Sequence, residues 1–290
     1  MPSESHPGLC DRAKCCLVFA LGVLLFASTS VFASFGHLHN SSQQSLTPLQ
    51  IEIENQRERL NSADIEQRRE AVMRLGALRH PAASRVAASA LNDPSTAVCV
   101  AAMNAILWLP TEESAALLIP LLKNKDEFVR QETSYALGRT RSRAAVTPLI
   151  ELLGKEKKSG VRGAAVVSLG QLGDEAAVVP LAVLLVPDLA AAANKRNKTG
   201  GKENEFVLRA AAHSLGQLRS RAAVPALMAT LQNEENPADL RREAAVALGL
   251  IADPEAAPLL RALLSTPDPY LSLAAHESLR RIAERQQRNR

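Results

Sequence analysis

Cysteine is too scarce to staple this chain. Of four in 290 residues, Cys10, Cys15 and Cys16 stand before or at the start of an apolar N-terminal run, and Cys99 is alone beyond it. No disulfide can close within the remainder, and without CxxC or Cys/His spacing a structural zinc site is unsupported. Aromatic residues are also few, 3% of the chain with a single tryptophan, while alanine and leucine abound. The interior must then be built of small and aliphatic side chains, which favours closely approaching helices over sheets. A large charge excess is lacking too: a net charge of +4 and a pI near 9.0 give no footing for a nucleic-acid partner. No GxSxG elbow, phosphate-binding loop or HExxH metal motif occurs. The catalytic, cofactor-binding and metal-ligating sets are therefore expected to be none.

What is present begins with a hydrophobic content of 47%, enough for a sizeable core. Arg12 and Lys14 precede an uncharged stretch over residues 15–36, CCLVFALGVLLFASTSVFASFG. Its most apolar part, Leu17 to Ala27, has the length of a signal h-region, and Val31-Phe32-Ala33 fits the small-x-small rule for cleavage after Ala33. The same stretch is about the roughly 20 residues that span a bilayer, so a retained single anchor is the alternative. Either way the basic flank predicts that the rest lies outside the cytoplasm, periplasmic, secreted or membrane-anchored. Residues 1–33 are thus read as signal peptide or anchor and 34–48, polar and Ser/Gln-rich with His37 and His39, as a spacer.

Beyond the spacer one pattern returns. QRREAVMRLGAL from Gln67, VRQETSYALGRT from Val129, VRGAAVVSLGQL from Val161, LRAAAHSLGQL from Leu208 and LRREAAVALGLI from Leu240 place Gly76, Gly138, Gly170, Gly216 and Gly249 in register. Segments at Ala101 and Leu273 are degenerate copies with Leu107 and Arg280 in the glycine's place. Gly138 to Gly170 is 32 positions and Gly216 to Gly249 is 33, a period typical of stacked helix pairs. Each unit continues with a second apolar run in which Pro148, Pro180, Pro225 and Pro258 recur, as first-turn prolines do. We term the two runs helix A and helix B. The glycine at the end of each A helix is expected to permit a sharp turn or the close approach of a neighbouring helix.

The pattern VRxxAxxxLGxL followed by AAVxPLxxLL resembles the phycobilin-lyase-type HEAT-like repeat. The resemblance implies an all-α fold, a right-handed α-solenoid (superhelix) of about six HEAT-like pairs plus caps, over residues 49–290. The caps would be a B-like helix at Leu49 to Leu60 and a seventh A helix at Tyr270 to Arg285. Between Gly170 and Gly216 the spacing grows to 46, which marks an insertion at about 187–205. Lys195, Arg196, Lys198 and Lys202 make that loop basic and a candidate for holding an acidic partner. Arg68, Arg130, Arg162 and Arg241 recur eight residues before their glycines, and the resemblance implies that such arginines pair with acids of the preceding loop, Asp126 or Glu127.

By the same resemblance the inner surface would carry Glu151, Val183, Met228 and Arg261, each three residues after a B-helix proline, with Lys123 at the comparable place in the second unit. That strip, apolar at its centre and charged at its ends, suits a protein partner. Deoxyhypusine hydroxylase shares this repeat and carries several His-Glu dyads around a di-iron centre, whereas this chain has one such dipeptide, His276-Glu277, in its degenerate last unit. The chain is therefore expected to be no enzyme and to bind no cofactor. The reading is a protein-binding adaptor outside the cytoplasm, with a lyase-type assembly or maturation factor as the alternative and a passive spacer as the weaker one.

Overall fold

Helix starts are written into short polar side chains. Asp64, Asp126, Asn204 and Asp268 each accept a backbone N–H of the first turn that follows, and Thr47 with Gln50 closes a capping box ahead of Pro48. The computed structural model describes residues 46–186 and 203–289. The expectations for segments 1–33 and 34–48 fall outside the described residues, save the last three positions. Lys195, Arg196, Lys198 and Lys202 lie wholly outside them. Among the described residues there are fourteen α-helices and no strand: α1 Pro48–Arg59, α2 Ile65–Ala77, α3 Pro81–Ala87, α4 Thr96–Ala105, α5 Thr111–Leu118, α6 Glu127–Thr140, α7 Val146–Lys155, α8 Ser159–Leu172, α9 Val178–Leu185, α10 Glu205–Leu218, α11 Val224–Gln232, α12 Ala238–Ile251, α13 Ala257–Ala262 and α14 Pro269–Arg288. They form six A/B pairs, α2/α3 through α12/α13, with α1 as a B-like cap and α14 as a seventh A helix.

The A helices stack in chain order, α2 on α4, then α6, α8, α10, α12 and α14. The B helices cover one side of this stack, and several continue in or begin from short 3-10 turns, such as Ile119–Lys123 after α5. The insertion does not interrupt the order, since α8 packs on α10 as α6 does on α8. Leu75, Leu137, Leu149, Leu169, Leu181, Leu215 and Leu227 are fully buried between the two layers, with buried alanines letting the helix axes approach.

The repeated corner between helix A and helix B divides its labour among three positions. The glycine faces the next A helix: a Cβ on Gly138 would stand 2.8 Å from Ser168 Cβ, and one on Gly216 would stand 2.9 Å from Ala247 Cα. Three residues later the chain turns through a left-handed residue, and here Arg79, Arg141, Arg219 and Ala252 have φ of 49°, 60°, 54° and 54°, with a glycine only at Gly173. One residue further, Ser142, Asp174, Ser220 and Asp253 cap the 3-10 turn that opens helix B. Close approach, not the turn, is thus what the repeated glycine provides. A left-handed non-glycine residue costs about 1–2 kcal/mol, offset in part by the greater unfolded-chain entropy of glycine. Arg141→Gly is therefore expected to raise stability by about 0.5–1 kcal/mol in urea unfolding.

Serine two places before the glycine, or before Arg280 in the glycine's place, locks adjacent A helices. Ser168 Oγ donates to Ser134 O at 2.7 Å, Ser214 Oγ to Val166 O at 3.0 Å and Ser278 Oγ to Ala245 O at 2.8 Å, each reaching the carbonyl four residues before the preceding unit's glycine. A small side chain and a missing Cβ are both needed for this contact.

Candidate functional site

The arginine row forms a second seam between units, in the opposite direction from that expected. Arg68 donates to Asp93 at 2.7 and 3.0 Å, and Arg130 to Glu156 at 2.7 Å, in each case a carboxylate of the following unit's loop. Arg162 pairs likewise with Glu203. The preceding loop supplies carbonyls instead: Ser62 O and Ala63 O to Arg68, Asn124 O and Lys125 O to Arg130. The carboxylate of Asp126 is used to cap α6 and to accept from Thr96 Oγ1, and so is unavailable to Arg130. Arg241 takes Leu231 O, and its neighbour Arg242 takes Asp268 at 2.9 Å and lies over the Tyr270 ring. Even the end of the insertion serves this seam, Glu203 through Arg162 and Asn204 as the cap of α10.

Burial raises the Glu156 carboxyl, and the hydrogen bonds from Arg130 and from the Lys158 and Lys157 amides outweigh it, holding it below the usual carboxylate value. The hydrogen bond from Arg68 lowers Asp93 in the same way, assisted by the Ser95 amide.

Between the end of the second B helix and the third lies a groove of about 610 Å³. Its floor is apolar: Ile119, Leu122, Pro148 and Leu152. Leu122 belongs to the core, and Ile119 and Leu152 pack on it. Five cations and two carboxylates line the groove. One carboxylate, Glu156, is consumed by Arg130, and the other, Glu151, has Lys155 at 3.4 Å. Lys158 reaches out to Glu127 at 2.9 Å, while Lys123 and Lys157 have no ion pair among the described residues. Apolar floor and lysine rim together make a slot that favours an apolar side chain flanked by negative charge.

Of the five strip residues, Lys123 and Glu151 meet in this groove. Lys123 closes the 3-10 turn Ile119–Lys123 after α5, whereas Glu151 lies inside α7, so Lys123 comes later in its unit than the comparable place expected for it. Val183 and Met228 are half-buried on α9 and α11, which touch one another, and Met228 packs against the core. Arg261 is exposed on α13, away from the groove. Sequence reading missed Lys155, Lys157 and Lys158, although the run GKEKKSG at the end of the third B helix was its signal.

The His276-Glu277 dipeptide lies on α14. His276 is exposed, and Glu277 pairs with Arg280 at 2.7 Å, whose hydrogen bond holds its carboxyl below the ordinary value. His213 Nδ1 lies 2.8 Å from Glu243 Oε1, with Gln217 Nε2 at 3.0 Å from the other ring nitrogen. Among the described residues no group of three or more His, Cys, Asp and Glu converges, and no helix is long and apolar enough to cross a membrane.

The model of HEAT repeats matches this chain at residues 53–138, 126–193 and 199–280. Among curated proteins it is similar to deoxyhypusine hydroxylase of Gallus gallus, 39% identical over 71 residues, which is 24% of this chain and 24% of the relative. Deoxyhypusine hydroxylase-B of Oryza sativa subsp. japonica is 37% identical over 79 residues, 27% of this chain and 26% of the relative. The chain spans about a quarter of the length of the curated relatives it matches. Among solved structures, YibA of E. coli is similar with a TM-score of 0.53 at 18% identity over 80% of this chain and 82% of that one. The CpcE–CpcF complex of phycocyanin lyase from Nostoc sp. PCC7120 gives 0.46 at 21% identity, over 88% and 100%. These relatives correct the expectation that the chain is no enzyme, because the curated proteins it matches are enzymes. The physical reason is that the repeat motif specifies packing positions only. The exposed positions on which any chemistry would sit are free of it, and the lack of a short catalytic motif therefore excluded less than was supposed.

Proposed function

The chain belongs to the HEAT-repeat family, and from that premise we propose that it is a docking scaffold whose B-helix face receives a protein partner, anchored in the groove of the second and third pairs. The observation that carries this reading is the apolar floor of Ile119, Leu122 and Leu152 beneath the lysine rim of Lys123, Lys155, Lys157 and Lys158. The partner it fits is an acidic segment bearing one or two apolar side chains: the apolar groups fill the slot, and the uncompensated lysines steer and orient the acids. Val183, Met228 and Arg261 extend the contact along the following B helices, and the loop lysines Lys195, Lys198 and Lys202 with Arg196 add positive charge on the acidic partner. The repeats act outside the cytoplasm, delivered by the segment at residues 15–36, which protease accessibility of intact cells tests.

A photo-crosslinking residue at Leu152 in the full-length chain is expected to capture acidic, apolar-containing peptides. Capture should fall by about tenfold or more when Lys123→Glu and Lys157→Glu reverse the rim, since each lost charge contact is worth roughly 0.5–1 kcal/mol and reversal adds repulsion. Unchanged capture in the reversed variant, or peptides that carry no acidic excess, would overturn the reading.

A further inference from the structure

We propose that the corner where α14 closes the solenoid is a binding site for a phosphate-bearing anion, separate from the B-helix groove. Arg281, Arg285 and Arg288 stand at i, i+4 and i+7 on α14, a spacing that puts all three on one helix face. That face looks onto the end of α12 at Gly249, Leu250 and Ala252, and Arg219 joins from the end of α10. The open groove they line has a volume of about 490 Å³.

Charge there is unbalanced. Four guanidiniums line the groove against one carboxylate, Glu284, which Arg280 engages at 3.2 Å. None of the four has an ion pair among the described residues, so the groove holds four uncompensated cations side by side. The arginine seam between units, made by Arg68, Arg130 and Arg162, does not include these four. Arg281 occupies the place that Arg139, Gln171, Gln217 and Leu250 hold in earlier units, one residue past the glycine position, and whereas Arg139 is engaged by Asn104 Oδ1 at 2.8 Å, Arg281 faces the groove. Arg285 donates to Ile251 O, which fixes its direction before any ligand arrives.

Like charges gathered in one concavity repel and raise the local potential, so a small, highly charged anion relieves both. The guanidinium fork matches phosphate oxygens in pairs. The lining has no aromatic ring on which a base could stack, and its apolar part is limited to Leu250, Ala252 and Gly249, so the recognised group is the phosphate itself. Its source is either a free phosphoanhydride or a phosphorylated side chain of a partner protein.

Calorimetric titration of the full-length chain in detergent at low salt tests the site with three probes: pyrophosphate, a phosphoserine peptide and citrate. Saturable binding of pyrophosphate, of the phosphopeptide or of both is expected, with citrate weaker. Arg281→Gln and Arg219→Gln are each expected to weaken it by roughly tenfold, the worth of one charge-assisted hydrogen bond. Pyrophosphate binding assigns a free ligand, and binding of the phosphopeptide alone assigns a partner-borne one. Arg143→Gln, a change at an exposed arginine elsewhere, should leave affinity unaltered. Absence of binding by both phosphate probes, equal binding of citrate, or affinity unchanged in Arg281→Gln with an unaltered melting temperature would overturn the proposal.

Discussion

Gly249→Ala is expected to destabilise the chain by about 2–3 kcal/mol, although alanine is the better helix former. The added Cβ would lie 2.7 Å from Ser278 Cβ and 2.8 Å from Ser278 Cα. An encounter with a side-chain tip could be relieved by rotation, but this one is with the backbone of α14, so the whole last helix must move outward. That movement also stretches the Ser278 Oγ bond to Ala245 O, now 2.8 Å, inside a buried contact. Gly154 supplies the internal control. It lies in α7, a Cβ there would meet nothing within 4 Å, and Gly154→Ala should stabilise by about 0.5–1 kcal/mol. Urea midpoints of the two variants therefore move in opposite directions. If both rise, the close approach of A helices is not what the glycine is for.

Arg130→Ala should cost about 3 kcal/mol, the magnitude for removing one member of a largely buried ion pair. The Arg130 and Glu156 side chains are 16% and 8% exposed, and truncation strands the carboxylate together with Asn124 O and Lys125 O. The pH dependence distinguishes this from a simple loss of packing. Because the Glu156 carboxyl titrates below its ordinary 4.5 in the folded chain, its contribution is present in full above that value and is lost as pH falls through the folded value. Without Arg130, burial acts on the carboxylate with only the backbone amides against it. The stability gap between native chain and variant should then be widest at neutral pH and narrow progressively below about pH 4.5. A gap that stays constant across that range would assign the loss to packing alone.

The site was legible in part. Glu151 was expected on a candidate inner face from its distance to a first-turn proline, and Lys123 lines the same groove although it follows its B helix in a 3-10 turn. Val183 and Met228 carry the apolar character expected of the strip, but they are half-buried on neighbouring helices, and Arg261 stands apart. Lys155, Lys157 and Lys158 were passed over because they follow the repeat motif without belonging to it, and no periodic signal marks residues in a loop between units.

What the sequence determined by itself is the local content of the repeat: A and B helices, their order, six pairs with a cap at either end, and the first-turn prolines. Each of these follows from interactions within about one turn of the chain, namely capping, proline geometry and the apolar stripe that must be buried. The tertiary structure alone decided what each repeated residue faces. It turned the glycine toward a serine or alanine of the next A helix and sent the arginine to the following loop. It also gathered lysines between the second and third pairs and arginines at the closing corner, because the rotation from one unit to the next fixes which side chains meet, and that rotation is a property of packed helices that no single unit contains.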